Sequence, residues 1–128
     1  GFVGENNVFT GSVVSPSAGM AGFDTGLGRL TARLGDGALG EGIKLYVRPE
    51  HTILTETEGA ENSVPVTVSE VSFEGAFIAV HAKAANGQTL VAEVRNDGAA
   101  TVPAIGAKRF ASFNAAHAAI LPDANTRG

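Results

Sequence analysis

The stretch Asn62-Ser63-Val64-Pro65-Val66-Thr67-Val68-Ser69-Glu70-Val71-Ser72-Phe73, NSVPVTVSEVSF, decides how this chain folds. Val64, Val66 and Val68 share one parity, whereas Val71 and Phe73 share the other. A strand with one buried face fits this pattern only if the inward parity switches near Ser69-Glu70. A bulge or sharp bend makes that switch, and bent strands let small barrels close their edges. Outward from this stretch the period of two persists. Ile78, Val80 and Ala82 run opposite His81 and Lys83, and Leu90, Ala92 and Val94 run opposite Val91, Glu93 and Arg95. Upstream, Leu30, Ala32 and Leu34 alternate with Arg29, Thr31 and Arg33, and Ile43, Leu45 and Val47 with Lys44, Tyr46 and Arg48. In AANGQTL, Ala84 to Leu90, the Asn86-Gly87 pair predicts a two-residue type I′ hairpin, which needs positive φ at both positions. Helical periodicity is absent, although Phe113 to Ala119 has room for one helical turn. The pattern predicts an all-β chain.

Composition bounds the size and the partners. A chain of 128 residues is one domain, or two small subdomains sharing a core, and its 17 glycines cluster at Gly19 to Gly28 and Gly35 to Gly42 as loop and hairpin chemistry. With 44% hydrophobic and 17% charged residues it is a folding sequence, and with 7 Phe and no Trp its core is mainly small aliphatics. Nine Lys and Arg against 13 Asp and Glu give a net charge of −4, so no long-range field draws phosphate backbones, and nucleic acid is not expected as a partner. The absence of cysteine excludes disulfides, thiolate metal sites and cysteine nucleophiles, and it agrees with a reducing compartment. No apolar run is long enough to span a bilayer.

A loose internal repeat is visible. Gly42-Ile43-Lys44-Leu45-Tyr46, followed by His51 and Ile53-Leu54, resembles Gly106-Ala107-Lys108-Arg109-Phe110, followed by His117 and Ile120-Leu121. Each copy begins with its own bent strand, NVFTGSVV at Asn7 to Val14 and NSVPVTVSEV at Asn62 to Val71. Two fused half-size barrels are expected within one domain over residues 1–128, the halves near 1–55 and 62–122, with strands free to exchange between them. The acidic stretch ETEGAEN, Glu56 to Asn62, is the expected linker.

Candidate chemistry is sparse. Gly35-Asp36-Gly37-Ala38-Leu39-Gly40 matches G-x-G-x-x-G, but that fingerprint works only where a strand turns into a helix, and here a strand follows. Neither a phosphate loop nor a Gly-x-Ser-x-Gly elbow occurs. His51, His81 and His117 lack partners at metal-ligand spacing except Glu50 beside His51, and adjacent strand residues point to opposite faces. They read as surface or rim histidines. Phe73, Phe77, Phe110 and Phe113 lack interleaved basic residues apart from Arg109, and so read as core rather than a base-stacking platform. The hydroxyls of Ser12, Ser15, Ser17, Thr67 and Ser69 offer a minor route to oxyanion binding at a barrel mouth. In VRPEHTIL, Val47 to Leu54, proline stops strand pairing, Arg48 and Glu50 sit at a spacing that lets them pair, and Ile53 and Leu54 return to the core.

Several of these stretches occur in a familiar order. Phe2-Val3-Gly4-Glu5-Asn6-Asn7-Val8-Phe9, Tyr46-Val47-Arg48-Pro49-Glu50-His51, Asn62 to Val68 with Phe73-Glu74-Gly75, Asn86-Gly87-Gln88 and Ala119-Ile120-Leu121-Pro122 together resemble the TOBE, or transport-associated OB, domain. In that family it follows the nucleotide-binding domain of ATP-binding subunits of bacterial ABC importers, and the FVGENN opening and RPEH turn look closest to the spermidine/putrescine branch. The resemblance implies two fused OB-like barrels and a non-catalytic regulatory and dimerisation role. It also implies a location at the cytoplasmic face of the inner membrane. Expected partners are a second ATP-binding subunit, permease subunits reached through the ATPase domain, and a regulatory protein or small ligand. No cofactor is expected here, ATP and Mg belonging to the ATPase domain. A start at Gly1 without methionine fits a domain cut from such a subunit. Asn7, Arg48, Pro49, Glu50, Glu74 and Gly75 are the candidate structural or interface residues.

Overall fold

A computed structural model describes residues 6–38, 42–59, 61–98 and 101–123; Phe2 to Glu5 of the opening motif, Leu39 and Gly40 of the glycine loop, and Ala60 of the acidic stretch lie outside them. All long elements are strands, as the alternation demands. The first ladder joins β1 (Asn7–Thr10), β2 (Ser12–Ser17), β3 (Met20–Thr25), β4 (Gly28–Leu34) and β5 (Ile43–Val47) to the last strand, β11 (Ala118–Pro122), in the order β1-β5-β11-β4-β3-β2. β1 and β2 are one strand bent at Gly11, and they pair with β5 and β3 respectively, so the ladder returns to the strand on which it began. Only glycine fits that bend. A Cβ there would stand 2.0 Å from the Asp24 carbonyl oxygen on β3. Gly35 to Ala38 turns away after β4, and the chain goes on to β5, as a loop rather than a dinucleotide fingerprint would.

The second ladder has the order β6-β10-β7-β8-β9, with β6 (Ile53–Thr55), β7 (Asn62–Phe73), β8 (Phe77–Ala84), β9 (Thr89–Arg95) and β10 (Lys108–Phe113). The long β7 pairs with β10 through Asn62 to Thr67 and with β8 through Val66 to Phe73. Its register shifts between Val68 and Glu70, leaving Ser69 as the extra residue that switches the inward face. Val64, Val66 and Val68 are buried before the shift, and Val71 packs beside Val68, Ile78 and Val80 after it. Phe73 departs from the expectation of a core residue. It is 68% exposed, because the strand overruns the core at its last residue. Phe113 is buried and stacks on Phe9 at 6.1 Å, while Phe77 and Phe110 are half-buried.

The Asn86-Gly87 turn also differs from expectation. Gly87 has φ +86, but Asn86 is not among the positive-φ residues. Gly87 N–H donates to the Ala84 carbonyl and Ala84 N–H to the Gln88 carbonyl, each at 2.9 Å, so Ala85-Asn86-Gly87 is a three-residue loop with a glycine bulge. Asn86 keeps a negative φ and uses its Oδ1 to accept the Gln88 N–H at 2.9 Å.

The final strand of each repeat copy serves the other ladder. β5, a 3-10 turn at Pro49–His51 and β6 form one continuous path, and β10, a 3-10 turn at Ala115–His117 and β11 form the second. These paths run antiparallel, β5 on β11 and β6 on β10, as a two-stranded ribbon crossing both ladders. One buried cluster, including Phe9, Phe23, Leu45, Val64, Leu90, Phe113 and Ile120, extends through both.

Candidate functional site

Two asparagines fix the ladders to each other. Asn7 is buried; its Oδ1 accepts the Val91 N–H at 2.8 Å, and its Nδ2 donates to the Val91 carbonyl at 2.9 Å and to Thr52 Oγ1 at 3.0 Å. Asn62, at the start of the second bent strand, does the same to Thr31, accepting its N–H at 2.8 Å and donating to its carbonyl at 2.9 Å. Each side-chain amide substitutes for a rung of β-ladder, satisfying backbone groups on β9 and β4. Asn7 is therefore a structural residue, and Asn62 is its counterpart.

In VRPEHTIL, Arg48 is extended and Pro49, buried, opens the 3-10 turn where its missing N–H costs nothing. The Arg48 carbonyl accepts the His51 N–H at 3.0 Å and the Thr52 hydroxyl at 3.0 Å. Arg48 Nε donates to Glu50 Oε2 at 2.9 Å across an exposed rim. That bond, followed by the backbone N–H of Glu50 itself, holds the Glu50 carboxyl below its ordinary range. Burial raises Glu93 on β9, and the Glu50 charge raises it further. Leu54 packs on the core, but Ile53 does not return there as expected; it is 63% exposed, because the parity of β6 turns it outward. Glu74 and Gly75 stand apart, at the exposed tip joining β7 to β8. There Glu74 bonds the Ser72 hydroxyl, Gly75 has φ +87, and Asn96 Nδ2 donates to the Gly75 carbonyl at 2.9 Å.

The structure brings together two histidines that their sequence spacing left apart. His51 and His117, the last residues of the two 3-10 turns, stack with ring centroids 4.0 Å apart and planes 16° from parallel. His51 Nδ1 is buried without a hydrogen-bond partner. Their matching places in the repeat were the available signal; His81, on β8, is separate. Around the stack, the outer face of the ribbon has two depressions. A larger one of about 430 Å³ is lined by Arg33, Tyr46, Arg48, His117 and Leu121 among others, and includes no carboxylate. A smaller one of about 220 Å³ includes Glu50, His51, Ile53, Thr55, Ser112 and His117. Arg33 and Tyr46 were not sequence candidates, because alternation marks them only as the outward residues of their strands.

Among the described residues no hydrogen bond joins either imidazole to the Ser112 hydroxyl, which instead meets the hydroxyls of Thr55 and Ser63 at 3.1 Å each. No group of three His, Cys, Asp or Glu among them is placed to hold a metal ion. Nor is any helix among them long and apolar enough to cross a membrane.

Two small barrels that share a core and exchange their last strands define an OB-like fold. The TOBE domain family matches residues 45–121, and the chain belongs to it. A TOBE domain is a binding domain, not a catalytic one. The fold is similar to a crystal structure of the cytoplasmic molybdate-binding protein ModG with molybdate bound. The TM-score is 0.77 and the identity 18%, over 94% of this chain and 98% of that one. No curated protein matches the sequence.

Proposed function

We propose that this TOBE domain is the non-catalytic regulatory and dimerisation module of the ATP-binding subunit of an ABC importer. It works at the cytoplasmic face of the membrane, while the ATPase domain supplies ATP and Mg chemistry and contacts the permease subunits. The observation that carries this is the TOBE match over residues 45–121, which includes the Arg48-Pro49-Glu50 corner, one of the stretches on which the resemblance to importer subunits rests. The parent is proposed to be a polyamine importer, with iron(III) or sugar importers as alternatives. A polyamine would be cargo of the permease and not a ligand of the larger depression, whose Arg33 and Arg48 repel cations. Reading the coding sequence upstream in frame tests the proposal. A phosphate loop and a Leu-Ser-Gly-Gly-Gln signature are expected, and an upstream stop codon would sink it.

A second reading is favoured by that same depression. The Arg33 guanidinium, the Tyr46 hydroxyl and His117, beside an Arg48 that is bonded to Glu50 through Nε, suit a small oxyanion, and ModG, of similar fold, binds molybdate. Calorimetric titration with molybdate, sulfate and phosphate tests it. Stoichiometric heat that disappears in Arg48→Ala supports an oxyanion module; no heat at millimolar anion removes it.

A further inference from the structure

The two bent strands are copies of one design, and they treat their free edges differently. Counted from Asn7 and Asn62, Pro16 and Ala18 of the first copy stand where Val71 and Phe73 stand in the second. The first edge is blunted: Pro16 has no N–H to offer, and the strand bulges there, its register shifting between Val14 and Ser17. At the second edge the loop that follows β9 closes only Val68. The Val68 N–H donates to the Ala107 carbonyl at 2.9 Å, and its carbonyl accepts the Gly106 N–H at 2.7 Å. Among the described residues no other backbone group bonds this side of β7 beyond Val68. Glu70 and Glu74 turn their backbone groups toward β8, where Glu70 pairs with His81 and the Glu74 N–H donates to the Phe77 carbonyl at 2.9 Å. By antiparallel alternation Val71 and Phe73 present theirs to the open side.

Side chains make this bare edge specific. Val71 packs beside Val68, Ile78 and Val80, and Phe73, of the same parity, is exposed at the end of the strand. Ile105, equally exposed, stands next to Gly106 at the other end of the bare edge. On the opposite face of β7 Glu70 and Glu74 are exposed, and among the described residues neither forms an ion pair with a basic side chain. A strand laid along β7 continues its pleat. Its side chains of one parity then meet Val71 and Phe73, and those of the other meet the two carboxylates. We propose that the free edge of β7, from Val71 to Phe73, takes up an extended segment of a partner protein in which apolar and basic residues alternate. Backbone hydrogen bonds to Val71 and Phe73 supply the affinity, and Glu70 and Glu74 select the sequence. This docking edge does not depend on the importer role, which the upstream coding sequence decides by itself.

Fluorescence anisotropy with a labelled, end-blocked octapeptide of alternating lysine and valine tests it on the 128-residue chain. Binding is expected to saturate below about 1 mM and to weaken as salt rises. Backbone amide exchange read by NMR should slow at Val71 and Phe73 when the peptide is added. Phe73→Ser, at an exposed position, weakens binding by about tenfold or more at an unchanged melting temperature. Glu70→Lys combined with Glu74→Lys loses the lysine peptide and gains one of alternating glutamate and valine. Val71→Pro copies the blunted first edge and abolishes binding where circular dichroism shows the fold retained; if it unfolds, Phe73→Ser and the charge reversal decide. No binding at about 1 mM overturns the inference. So does binding that survives both Phe73→Ser and the charge reversal, which is attraction to a net charge of −4 and nothing more. A chain that protects Val71 and Phe73 by pairing with a second copy, without peptide, overturns it as well.

Discussion

Asn62→Ala removes a side chain that is 1% exposed and closes both polar groups of the Thr31 backbone. Thr31 lies opposite Gly22 on one side of β4, and on the other side the Asn62 amide takes the place of a neighbouring strand. Alanine leaves a backbone N–H and a carbonyl without partners in a part-buried setting and offers no room for bulk water. Each net hydrogen bond is worth about 0.5–1.5 kcal/mol, and each group left unsatisfied costs about 1–3 kcal/mol, so a loss of about 2–4 kcal/mol is expected. For a chain of this size that corresponds to a fall in Tm of about 6–14 °C. Urea unfolding monitored by circular dichroism should show the midpoint falling with an unchanged slope, as for a change in stability alone. Asn7→Ala should lose a similar amount, and the double variant should be close to additive, because the two amides share no partner. Asn114→Ala, at an exposed position without a side-chain cap bond, serves as the control and should move stability by less than about 0.5 kcal/mol. If Asn62→Ala falls within the range of that control, the substitution of amide for ladder rung is wrong.

Gly11→Ala would drive its Cβ into the Asp24 carbonyl and force β3 away, costing about 1–3 kcal/mol or more, whereas Gly75→Ala meets only its positive φ and costs about 1–2 kcal/mol; thermal melts of the pair separate the two causes. Glu93 has its folded pKa raised, so its favourable contribution is full below the unfolded value of about 4.3 and is lost as pH rises through the folded value. Glu93→Gln should therefore raise Tm at neutral pH and change nothing in acid, and a Tm that falls at neutral pH would contradict the sign. Glu50 has its folded pKa lowered, so its contribution is present above the unfolded value and lost as pH falls through the folded one. Arg48→Ala should cost about 0–1 kcal/mol at neutral pH, less in high salt, and nothing once Glu50 is protonated, as chemical denaturation at several pH values would show.

The strands were legible because a period of two is local: the parities of Val64 to Phe73 located the bulge that the Val68–Glu70 register confirms. What failed depended on where strands end. Phe73 and Ile53 have the composition of core residues, yet the first overruns the core and the second belongs to a strand of three residues whose outward parity the sequence does not mark. The Asn-Gly pair identified a hairpin but not its loop length, which settled whether Asn86 needs a positive φ. Of the site, the Arg48-Pro49-Glu50 corner was visible because proline punctuates it. Its neighbours were not, since Arg33 reaches it through the parallel pairing of β4 with β11, and that pairing joins distant segments.

The exchange of final strands also governs how the protein can be made. β4 and β5 leave the ribosome first, but the strand that lies between them, Ala118–Pro122, is synthesised only after β6 to β10. The first barrel therefore cannot finish folding during translation of its own residues. It must wait, partly open, for β11, whereas the second ladder has all its strands by then, so a product truncated before Ala118 leaves the first barrel open.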